Sequence, residues 1–80
     1  MTIELQIFAG LKDYIHNYLE FELTDGCDLK ELIEQLKISF PNAKGLLEKS
    51  RVAVNNQFVE PTFVLKLGDV VALIPPSSGG

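Results

Sequence analysis

The chain of 80 residues holds a single cysteine, Cys27, and a single histidine, His16. One thiol excludes an internal disulfide and a thiolate metal cluster. One imidazole removes most metal sites and any histidine-based triad with a convincing partner. Basic residues are few as well: seven Lys and Arg stand against eleven Asp and Glu, for a formal net charge of −4. They are scattered singly, so no basic stripe is available to meet nucleic-acid phosphates. The longest apolar run, Val70 to Ile74, is far below the roughly 20 residues of a membrane helix. The opening "MTIELQIF" carries Glu4 where a signal peptide would be apolar. These absences predict a cytoplasmic protein with neither nucleic acid nor membrane among its partners.

Catalytic groupings are missing too. Cys27 precedes a predicted helix, where the dipole and free amides lower a thiol pKa; its plainer reading is a small turn residue. His16 falls in a polar connection beside Asn17 and is expected in solvent. Asp13, Asp25, Asp28 and Glu31 match neither a calcium loop nor a two-carboxylate site. No glycine-rich loop joins a strand to a helix, so no phosphate cradle forms. The chain is not an enzyme on its own.

What is present is the pattern of one small globular domain, 46% hydrophobic and 22% charged. Ile3, Leu5 and Ile7 alternate with polar neighbours, as do Leu19, Phe21 and Leu23, which predicts two half-buried strands. Between them, Leu11, Tyr14 and Ile15 suit one helical turn over the sheet edge. Gly26 breaks the second strand. Asp28 and Glu31 then have capping-box spacing. Leu29, Leu32, Ile33, Leu36 and Phe40 share one helical face, and Pro41 ends the helix. "NAKGLL" adds a short helical turn with Leu46 and Leu47 inward. "RVAVNNQFV" reads as a hairpin turning at Asn55 and Asn56. Pro61 marks an edge or loop, Gly68 and Asp69 a turn, and "VVALI" the last strand. Its residues are apolar on both faces, as in a central strand buried on two sides. One helix covers only one face. A loop, a second copy or a partner protein is therefore expected on the other.

The tail "IPPSSGG" has no packing pattern. Pro75 and Pro76 lack N–H groups, stop a sheet ladder and aim the chain outward. From Pro75 to Gly80 the extended reach is about 20 Å. A Gly-Gly ending arises by chance in about 0.5% of chains at average glycine usage, so it invites a reading. Glycine without a Cβ threads a channel too narrow for other residues. The one reactive group such a tail delivers is the Gly80 carboxylate.

At this point the whole chain resembles the small subunits of molybdopterin synthase, the MoaD-type sulfur carriers of the MoaD/ThiS family in the ubiquitin-like β-grasp superfamily. The likeness is carried by "IELQIFAGLKDYI", "RVAVNNQFV" and above all "DVVALIPPSSGG". The family commonly has valine where this chain has Ser77, a difference that touches a tail contact rather than the chemistry at Gly80. The resemblance implies an α+β, ubiquitin-like β-grasp fold: a mixed sheet with one main helix on one face, first and last strands adjacent and parallel. Residues 1–74 would form the domain and 75–80 a flexible tail. It further implies that an ATP-dependent activating enzyme adenylates Gly80 and that a thiocarboxylate forms there. Pro75, Pro76, Ser77, Ser78 and Gly79 would pass into a channel of the synthase large subunit, in a heterotetramer. No cofactor is bound by the carrier; ATP is used by the activator. A carrier for thiamine or another thio-cofactor, a ubiquitin-like modifier and a plain β-grasp binding module remain as alternatives.

Overall fold

The structure, a computed structural model, describes residues 1–16 and 18–76. Alternating Ile3, Leu5 and Ile7 place every second side chain of β1 (Thr2–Ile7) in the core. A 3-10 turn over Ala9–Asp13 follows, burying Leu11, with Ile15 buried behind it. Tyr14, the C-cap beyond this turn, is 45% exposed; the Ile15 N–H donates to Leu11 O at 2.9 Å, and this i to i+4 spacing sets Ile15 rather than Tyr14 on the inward side of Leu11. β2 (Tyr18–Glu22) returns antiparallel to β1 with Leu5 opposite Leu19.

Helix α1 (Leu29–Ser39) begins at the predicted cap, where Asp28 accepts the Glu31 N–H at 2.9 Å. The return half of the capping box does not form, since the Glu31 carboxylate accepts from Cys27 Sγ at 3.7 Å. The remaining first-turn amides go to a distant loop: Leu29 N–H to Phe63 O at 2.9 Å and Lys30 N–H to Pro61 O at 3.0 Å. Leu29, Leu32 and Leu36 are buried, while Ile33 and Phe40 are half-buried at the edge of the same stripe. Pro41 opens a 3-10 turn that leads into α2 (Lys44–Lys49). Leu47 of α2 is buried and Leu46 half-buried.

β3 (Arg51–Val54) and β4 (Gln57–Phe58) form the hairpin. Asn55 and Asn56 take φ of 50° and 71° at its turn, the left-handed pair that matches strand twist. A long loop then crosses under the N-terminus of α1 before β5 (Val70–Ile74). The sheet order is β2-β1-β5-β3-β4, with β5 parallel to β1 and antiparallel to β3. The mixed sheet carries its helices on one face. First and last strands are adjacent and parallel, as expected.

The second face of the sheet is not sealed by the described residues. β5 is central, yet its burial alternates: Val71 and Leu73 are fully buried, whereas Val70, Ala72 and Ile74 are only half-buried. Both helices fall on the same side, so the apolar residues of the second face keep contact with water.

Candidate functional site

The tail leaves the sheet at its centre. Ile74, the last residue of β5, lies opposite Arg51 of β3. Pro75 is buried and Pro76 is exposed. Ser77, Ser78, Gly79 and Gly80 lie outside the described residues. The exit therefore has a fixed base, because β5 is bonded to neighbours on both sides and Pro75 packs into the body.

Around that exit spreads the open face of the sheet. Register places Ala72 beside Gln6 on one side and Ala53 on the other, with Phe58 beyond Ala53. Val70 stands next to Glu4, and Ile74 next to Arg51. Phe8 continues β1 with extended backbone (φ −123°, ψ 155°), so alternation carries it to the same face as Gln6. Phe8 and Phe58 are 42% and 58% exposed. The Arg51 guanidinium lies 3.9 Å from the centroid of the Phe58 ring. The half over β5, β3 and β4 is thus apolar with one cation.

The half over β1 and β2 is acidic. Glu4 and Glu20 are directly opposed, and Glu22 accepts the Thr2 hydroxyl at 2.6 Å. Hydrogen bonding to the Glu4 carboxylate, then desolvation and the charges of Glu4 and Glu20, holds the Tyr18 phenol above its usual value. An apolar centre with an acidic flank suits a protein surface of opposite pattern. Phe8, Arg51 and Phe58 were not singled out from the sequence. The signal was the hairpin turn, which places Phe58 across from Ala53 once the two-residue loop is recognised.

The other candidates are placed elsewhere. Cys27 is 5% exposed under the start of α1. Burial chiefly, then the charge and hydrogen bond of Glu31 and the charge of Asp28, push its thiol pKa up. Of the two readings the sequence offers, the reactive one does not hold: desolvation and two carboxylates outweigh the helix N-terminus, which leaves the plainer reading of a small turn residue. His16 is exposed, as expected. Among the described residues no cluster of three His, Cys, Asp or Glu side chains could hold a metal ion. No helix among them is long and apolar enough to cross a membrane.

One buried acid sits at the opposite end of β5 from the tail. Asp69 accepts from Asn55 Nδ2 at 2.9 Å and from the Lys66 N–H at 2.8 Å. Asn55 Oδ1 accepts the Val70 N–H at 3.0 Å. These bonds tie the hairpin turn to the start of the central strand, a structural task.

Comparison with known proteins agrees with this arrangement. The profile of the ThiS family matches residues 5–80. The molybdopterin synthase sulfur carrier subunit of Chlamydomonas reinhardtii is 35% identical over 83 residues, covering 100% of both chains. A solved complex of subunits 1 and 2 of the molybdopterin-converting factor of Helicobacter pylori contains a similar chain, with a TM-score of 0.73, 28% identity and full coverage of both. The small archaeal modifier protein 1 of Haloferax volcanii has a TM-score of 0.86 over all of both chains but only 19% identity, a likeness of fold alone. With family profile, relatives and topology in agreement, the chain belongs to the MoaD/ThiS sulfur-carrier family of the ubiquitin-like β-grasp superfamily.

Proposed function

We propose that this chain carries sulfur on the carboxylate of Gly80 as the small subunit of a molybdopterin synthase. The observation that supports this most is the tail's origin: it leaves the central strand beside an apolar face that the other described residues do not cover. The carrier subunit of Chlamydomonas reinhardtii aligns over the full length of the chain, which supports including the tail in the reading. The chemistry is supplied by partners. A carboxylate is a poor electrophile, so an activating enzyme joins it to AMP from ATP, with pyrophosphate leaving. The outer sulfur of an enzyme persulfide then attacks the acyl carbon and AMP leaves; a second thiol of the partner cleaves the resulting acyl disulfide, which frees the thiocarboxylate and leaves a disulfide on the partner. Gly79 lets that group pass a narrow entrance, and Pro75 and Pro76 lower the entropy lost when Ser77 and Ser78 dock in the large subunit. There the sulfur passes to a pyranopterin precursor.

The test is intact mass after incubation with ATP, an activating enzyme and sulfide. One oxygen-for-sulfur exchange at Gly80 is expected. A variant with one residue added after Gly80 should keep its melting temperature and lose activity, because the reacting group is displaced by about 3.5 Å. An extended variant that still supports molybdopterin formation would overturn the reading. Attachment of Gly80 to lysine side chains, with no thiocarboxylate, would favour the modifier alternative.

A further inference from the structure

β4 is two residues long and leaves part of the β3 edge bare. Asn55 donates its N–H to Val70 O at 2.8 Å. That bond sets the phase of the ladder, so Arg51 and Ala53 face β5 while Val52 and Val54 turn their backbone groups outward. Val54 is met by Gln57 across the hairpin. The Val52 carbonyl accepts from Val59 N–H at 3.3 Å, but the return bond from Val52 N–H to Val59 O is not made. Ser50, extended at φ −78° and ψ 145°, presents its carbonyl to the same side by alternation. Beyond Val59 the chain bends away toward α1, where Pro61 O meets Lys30 N–H.

Into this gap opens a groove of about 580 Å³ between β3, residues 59–61 and the flank of α1. Leu29, Ile33, Leu47, Val52, Val59 and Pro61 give it an apolar floor. Three of the seven basic residues of the chain, Lys30, Lys37 and Arg51, stand along it. Two carboxylates, Glu34 and Glu48, also line the groove and are held by Lys37 at 3.4 Å and 3.3 Å. Lys30 and Arg51 have no ion-pair partner among the described residues. In a chain of net charge −4, unpaired cations beside an unfilled strand edge are complementary to an acidic, extended ligand.

We propose that the groove takes an extended peptide segment of a partner protein, added to the β3 edge, with alternate apolar side chains and flanking carboxylates. Its main chain would bond the Val52 N–H and the Ser50 carbonyl, which suit one edge repeat of an added strand. The apolar side chains would point toward Ile33 and Leu47, and a flanking carboxylate would meet Lys30 or Arg51. The opposite edge of the sheet does not fit such a ligand. There Glu20 and Glu22 of β2 would repel its carboxylates. The proposal does not depend on sulfur carriage.

The test uses the full chain, labelled with nitrogen-15, and the peptide acetyl-Glu-Val-Thr-Val-Glu-amide. Titration should shift the Ile33, Val52 and Val59 amides and slow hydrogen exchange of the Val52 N–H. Lys30→Glu, at an exposed position, should weaken binding about threefold at low salt. N-methylation of the three central peptide residues should weaken it about fivefold or more, the equivalent of one lost hydrogen bond. Equal binding by the methylated peptide would overturn the proposal, as would an unchanged spectrum at millimolar peptide or shifts confined to β2. If raising the protein concentration alone moved the same amides, the occupant would be a second copy. If deleting residues 77–80 moved them, it would be the chain's own tail. Either result overturns the assignment to a partner.

Discussion

Asp69 shows how much a single side chain can decide. The residue is 9% exposed, and its carboxylate accepts from two donors, Asn55 Nδ2 and the Lys66 N–H. Asp69→Ala leaves Asn55 Nδ2 and the Lys66 N–H without their acceptor. A loss of about 1–3 kcal/mol is expected in urea unfolding, with Asp69→Asn recovering part of it. Cys27 makes a prediction of the opposite kind, that nothing happens. Its thiol is buried and its pKa raised above the ordinary 9.0, so alkylation at pH 8 should be slow in the folded protein and fast in urea. The sign of the linkage follows. The stability gained by holding the thiol neutral is present below pH 9.0 and is lost as pH rises through the higher folded value. Because the proposed sulfur site is a carboxylate, Cys27→Ser should still accept sulfur when assayed by intact mass.

Helix α1 joins a local signal to a remote one. Asp28 caps it through the Glu31 N–H, and Asp28→Ala should cost about 1 kcal/mol in chemical denaturation. The helix should nevertheless persist, because the Leu29 and Lys30 amides remain bonded to Phe63 and Pro61. That loop also covers the core with Leu65, which is 2% exposed. The cap residue was legible from spacing alone. The loop's part in capping was not, since a pairing more than 30 residues apart leaves no period in the chain. The raised pKa of Cys27 was not legible for the same reason: the helix N-terminus is visible in sequence, whereas burial by packed neighbours is not.

At the scale of the whole molecule, two layers leave one sheet face open, and that face tests the partnership. Phe58 is 58% exposed, so Phe58→Ser should change folding stability by no more than about 0.5 kcal/mol. If the large synthase subunit covers this face, the loss of an aromatic anchor should weaken the complex about tenfold or more, measured by calorimetry. Unchanged affinity in a folded variant would move the interface elsewhere.

Strand period, helix stripe, cap and the Asn55–Asn56 turn were set by the sequence itself, because each depends on residues within a few positions of one another. The parallel pairing of β1 and β5 also followed from family resemblance, and the family is carried by motifs along the whole chain. Tertiary structure alone decided which apolar residues stay wet. Val70, Ala72 and Ile74 look as core-like in sequence as Val71 and Leu73. Their fate depends on both helices lying on one face, and hydrophobicity at a position does not specify the side from which cover arrives. The same holds for the β3 edge, which is bare only because the chain turns away after Val59 to meet the start of α1.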